Sequence, residues 1–120
     1  MGDASITKVN ARSAPVGEMG QKYLAIGVKM SMRLWENEPP AAKKPETTRD
    51  YETIGYCIKG RATLHLEGQT INLAAGDCWV VPKGAMHSYE ILESFSAIEA
   101  TSPPAEVHGR DKLTDTAIRH

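Results

Sequence analysis

Long apolar runs, clustered basic residues and cysteines are all scarce in this chain, and each shortage excludes something. No stretch approaches the roughly 20 apolar residues that a membrane-crossing helix needs. Residues 1–20 hold no hydrophobic run followed by a small-residue cleavage site, so no secretory signal is expected. Lys43-Lys44 is the only adjacent basic pair, it sits among prolines, and the formal net charge is −1. Neither nucleic acid nor an anionic membrane is therefore an expected partner. Cys57 and Cys78 are the only cysteines, and both lie in apolar strand contexts. Without a signal sequence they read as reduced, half-buried thiols, and a cytoplasmic location is the expectation. No internal repeat and no alternation of strand with helix is visible, which argues against a parallel α/β fold.

What is present describes one small β domain. At 120 residues the chain supports a single core. Its 41% apolar and 24% charged residues are ordinary for a globular protein and argue against disorder. Residues 1–20 are small and polar, and read as a flexible arm or a strand that pairs elsewhere. From Val28 the pattern alternates, with Val28, Met30, Met32 and Leu34 against Lys29, Ser31 and Arg33, which predicts a half-buried strand, with Met30 and Met32 as core or subunit-contact residues. Pro39, Pro40 and Pro45 break the segment 37–49. Strands are then predicted over 51–58, closed by Lys59-Gly60, and over 62–66 and 70–73, joined by a turn at Glu67-Gly68-Gln69. Further strands cover 78–81, 86–92 and 95–100, and only the tail from about Lys112 suits a helix. Many short strands between Gly and Pro turns predict an all-β, antiparallel barrel or jelly roll.

The segment from Gly76 to His87 carries the most specific signal. Pro82 presets φ for a corner, Gly84 supplies the positive φ that other residues resist, and His87 opens the return strand. The spacing G-x5-P-x-G-x2-H resembles the second motif of the cupin superfamily. Tyr56 to Gly60 resembles the close of the first motif, and the short intervening hairpin, residues 61–75, resembles compact bacterial members. The resemblance implies a β-barrel over residues 21–104, with an arm before it and a tail over 105–120. It also implies that His87 points into the barrel, where family members usually bind a metal.

The first motif, H-x-H-x3–4-E-x6-G in the family, departs from that pattern. Counting back from Gly60 puts Thr53 at the glutamate position, with Thr47 and Arg49, or Glu46 and Thr48, at the histidine positions. One imidazole alone does not hold a divalent ion against water. The expected cofactor complement is therefore none. The alternative is a divalent metal ion (Zn, Ni, Fe or Mn) on His87 with Glu46, Tyr51 or Glu52 as partners, or His108 folding back from the tail.

Period 2 puts Arg49, Thr53 and Cys57 on one face of their strand and His87 with Tyr89 on one face of theirs. Together they form a donor-rich site suited to a small polar or anionic metabolite, with Arg49 lowering the pKa of His87. The alternative reading is an enzyme, either an isomerase or epimerase with His87 as catalytic base, or a metal-dependent oxygenase or isomerase. Cupins similar to this chain commonly form homodimers, and Val28–Leu34 is the expected contact.

Overall fold

The computed structural model describes residues 7–106. A 3-10 turn over Ala11–Ser13 precedes six antiparallel strands: β1 (Lys22–Ile26), β2 (Ser31–Glu38), β3 (Glu52–Leu66), β4 (Gln69–Ala74), β5 (Cys78–Val81) and β6 (His87–Ser102). Their order is β1-β2-β6-β3-β4, with β5 paired to β3 off that path. The architecture is the expected all-β jelly roll, although the sheet does not close into a complete barrel. No helix among the described residues is long and apolar enough to cross a membrane. The helical tail and His108 as a metal partner fall outside the described residues.

Two strands organise everything else. β3 and β6 are 15 and 16 residues long and pair along nearly their whole length. The sequence suggested a break at Lys59-Gly60; the chain instead continues through irregularities between Cys57 and Ala62. Bulges of this kind bend a ladder without ending it. Gly60 makes the bend possible: its φ is +87°, and a Cβ there would run into the carbonyl of Ser94. The first half of β3 pairs with β5 and the end of β6, while its second half pairs with β4 and the start of β6.

The proline-rich segment before β3 is more ordered than its composition suggested. Ala41 pairs with Ile91 and Thr47 with His87, so it runs antiparallel to the start of β6. Prolines at 39, 40 and 45 leave the N–H groups of Ala41, Lys44 and Thr47 to donate to carbonyls of β6. At the amino-terminal side, Gly17 N–H donates to the Gln21 carbonyl and Tyr23 N–H to that of Pro15, folding this stretch of the arm back onto β1.

The core holds Cys57, Leu64, Leu73, Trp79, Val81 and Phe95. Across the strands Arg33, Glu99, Gly55 and Trp79 form one row. Gly55 leaves room for the Trp79 indole to lie over β3; a Cβ there would collide with the ring.

At the start of β2 the polar residues face inward and the apolar ones outward, although Leu34 is buried. Ser31 and Arg33 are buried, whereas Val28 is 87% exposed and Met30 57%. Polar partners on β6 account for this arrangement, because a buried polar group is tolerated when it is hydrogen-bonded. Ser31 and Thr101 share a hydroxyl contact at 3.0 Å, and Arg33 meets Glu99 at 2.8 Å. The outer face consequently carries a row from Met32 through Ala100 and Ile54 to Val80, with Tyr56 and Ile58 also exposed.

Candidate functional site

A cavity of about 430 Å³ lies between the two halves of the bent β3–β6 pair. One half contributes Thr53 and Glu99 to its wall, with Arg33 from the adjoining β2; the other contributes His87, Tyr89 and Ile91. Arg49 and Lys44 enter from the segment before β3, and Met19 from the arm.

Local geometry explains how His87 and Arg49 come together. The Gly84 residue takes φ +81°, as the turn requires, and its N–H donates to the Arg49 carbonyl at 3.0 Å. Thr47 and His87 exchange two backbone hydrogen bonds of 2.9 Å. The corner and the bridge thus fix the segment carrying Arg49 against the strand carrying His87. The Arg49 guanidinium meets the Met19 sulfur at 3.3 Å.

His87 is buried, and its Nδ1 lies 3.0 Å from the Ala85 carbonyl. A carbonyl only accepts, so in the neutral ring Nδ1 carries the proton and Nε2 the lone pair. Burial holds the imidazole below its ordinary pKa, and the positive charges of Arg49 and Arg33 act in the same direction against Glu99 and the Ala85 hydrogen bond. Tyr89 packs its ring edge-on to His87 at 6.1 Å and accepts a hydrogen bond from Trp79 Nε1 at 3.1 Å. Burial and the negative charge of Glu99 push the phenol pKa up, so Tyr89 stays a neutral donor.

Sequence reasoning missed the polar wall opposite. Glu99 Oε1 accepts from Arg33 Nε and from Trp35 Nε1, both at 2.8 Å. Arg33 also donates to the Tyr51 hydroxyl at 3.2 Å and lies over both aromatic rings, 5.3 Å from Trp35 and 5.4 Å from Tyr51. A signal was available: Glu99 shares period-2 parity with Phe95 and Ala97, so an inward β6 face carries an inward acid.

The remaining expected residues are placed as follows. Cys57 does not line the cavity; it lies in the core, fully buried, with its sulfur against the carbonyls of Lys59 and Gly60. It shares the inward face of Thr53, but at that point the face packs against Trp79, Phe95 and Ala97. Glu52 is exposed on the outer face, as alternation with the buried Tyr51 and Thr53 demands. Glu46 is at the surface beside Lys43.

The Cupin domain model matches residues 34–98. An uncharacterized protein of Aquifex aeolicus (strain VF5) is 30% identical over 69 residues, which cover 58% of this chain and 56% of that protein. The chain thus matches little more than half of that relative's length. Among solved structures, an RmlC-like cupin from Shewanella frigidimarina NCIMB 400 superimposes with a TM-score of 0.73 at 17% identity, over 85% of this chain and 95% of its own. KdgF from Halomonas sp. gives a TM-score of 0.63 at 26% identity, over 69% of this chain and 78% of its own.

A metal at His87 is what the motif resemblance implies, and the donors among the described residues do not fit one. Among the described residues no three His, Cys, Asp or Glu side chains gather closely enough to hold an ion. Glu99, the carboxylate that acts on the imidazole, is already engaged by Arg33 and Trp35. Glu46 and Glu52 point to solvent, and two guanidiniums would oppose a second cation.

The lowered pKa of His87 makes a stability prediction. In the unfolded chain the ring takes up a proton around 6.5, whereas in the fold it does so only at lower pH. Between those values the unfolded state binds more protons, so stability is fully present above 6.5 and is lost as pH falls. Urea midpoints measured from pH 8 to pH 5 should fall on the acid side, and His87→Gln should flatten that part of the profile. An unchanged profile in the variant would contradict the assignment.

Proposed function

The chain belongs to the cupin family, and from the donors of its cavity we propose that it binds a small carboxylate metabolite inside the fold. The observation that carries this reading is the Arg49 guanidinium lining the cavity. A guanidinium offers two parallel N–H donors that match a carboxylate and keeps its charge at any working pH. The Thr53 hydroxyl and the Tyr89 phenol add neutral donors on the same lining. A volume near 430 Å³ suits a small organic molecule.

Thermal-shift measurements with acetate, pyruvate, succinate and benzoate test the reading. At a hundred times its Kd a binding carboxylate stabilises the fold by about 2.7 kcal/mol. At least one should raise the midpoint of the wild type and leave Arg49→Ala unmoved. If none stabilises the wild type more than the variant, carboxylate binding is wrong.

One observation favours an enzymatic form of the same reading: the Ala85 carbonyl leaves Nε2 of His87 as the ring's base. His87 would then take a proton from a carbon of the bound acid, as an isomerase or epimerase requires. Proton NMR in D2O reads this directly. The carbon-bound hydrogen of a stabilising acid should exchange with wild type and persist with His87→Gln; persistence in both removes the enzymatic form.

The proposal extends to self-association as a homodimer. Met32, Ile54, Tyr56, Ile58 and Val80 are each between 39% and 53% exposed, and all are apolar or aromatic. Contiguous apolar faces of this kind mark association surfaces. A second copy, related by a two-fold axis, would cover the row with the same row. Sedimentation velocity at micromolar concentration should give a dimer, with Ile54→Lys shifting it to monomer. A monomeric wild type would end this part of the proposal.

A further inference from the structure

The cavity has two chemically different walls, and the acidic one has unused capacity. Glu99 is 3% exposed, yet it lines the cavity. Both of its hydrogen bonds fall on Oε1, from Arg33 and from Trp35. Its Oε2 takes part in none of the hydrogen bonds among the described residues. A carboxylate oxygen on a cavity wall is a strong acceptor, and a ligand hydroxyl can donate to it. The charge of Glu99 is already balanced by Arg33 at 2.8 Å. An ammonium group gains little from a carboxylate so balanced, whereas a hydroxyl supplies a donor without adding charge. Across the cavity, the charge of the Arg49 guanidinium suits an anionic group.

We infer that the ligand is a hydroxy-carboxylic acid, its carboxylate on the Arg49 side and a hydroxyl donating to Glu99 Oε2. This rests on the carboxylate reading above and adds the second functional group. Thr53 lines the cavity from the same strand as Gly55, which sits across from Glu99, so a further hydroxyl on the acid has a neutral partner beside the first. The aromatic faces of Trp35 and Phe95 close the cavity around the carbon skeleton.

Matched pairs of acids separate this inference from the reading it rests on. Isothermal titration of the full chain would compare glycolate with acetate, lactate with propionate and malate with succinate, with glycine as the ammonium counterpart of glycolate. A charge-assisted hydrogen bond is expected to favour the hydroxy member of at least one pair by about tenfold in Kd. Glu99→Gln should reduce that preference and leave binding of the plain acid in place, while Arg49→Ala should weaken both members together. Because Glu99→Gln strands the Arg33 charge, the double variant Arg33→Met/Glu99→Leu, which removes both charges, serves beside it and should abolish the preference. Equal binding within every pair, a preference that survives the double variant, or glycine binding tighter than glycolate overturns the inference while carboxylate binding stands. Binding of no acid at all overturns both.

Discussion

The pairing of β3 with β6 is the constraint on which the rest of this molecule depends. Each strand is long enough to serve two layers, and the irregularities between Cys57 and Ala62 turn the pair partway along. Because the pair bends rather than ends, Thr53 and Glu99 from one half face His87 and Tyr89 from the other. Register then fixes the detail: a slip of one residue would exchange Glu99 for Ala100 or Ile98 on the cavity wall. Gly60 is tied to this point of the fold, since its positive φ and its contact with the Ser94 carbonyl leave no space for a side chain.

On the wall so formed, the Arg33–Glu99 pair sets the electrostatics. A buried ion pair is weak evidence for stability, because desolvation offsets much of the attraction. This pair is well satisfied nonetheless, with Trp35 donating to the same carboxylate oxygen and Tyr51 accepting from the guanidinium. Its consequence is a negative charge held inside the cavity at a fixed place. That charge, with burial, keeps the Tyr89 phenol protonated, and opposes the arginines at His87. The two sides of the cavity therefore differ in what they accept, and the difference originates in strands far apart in sequence.

Local features were legible in the sequence and partner-dependent ones were not. The Pro82–Gly84 corner, the position of His87 and the Glu67-Gly68 hairpin turn are decided within a few residues, and they stand where the sequence put them. The alternation of β2 was legible too, but alternation identifies two faces without saying which is inside. Met30 and Met32 suited either a core or a subunit contact, and the usual preference for burying apolar groups does not choose between them. Ser31 and Arg33 face inward because they find Thr101 and Glu99 about seventy residues away, and no local pattern carries that pairing. Cys57 was assigned to the cavity by the same period-2 counting, which gives the correct inward face but not whether that face meets the cavity or the packed core.

The second motif locates a cavity, and the residues around it decide the chemistry. An imidazole whose Nδ1 is held by a backbone carbonyl presents Nε2 in the same way to a metal, to a proton or to a ligand hydroxyl. What selects among these is the sign and geometry of the neighbouring charge. Carboxylate and imidazole neighbours would stabilise a divalent ion there. Here the segment paired to the start of β6 brings Thr47 and Arg49 instead, and the acid that does face inward is engaged by Arg33. A guanidinium delivers positive charge without an open coordination position, so it can hold an anion but cannot polarise it as a Lewis acid does. The arginine at residue 49 thus puts a fixed positive charge, and not a further ligand-type side chain, on the cavity wall that His87 shares.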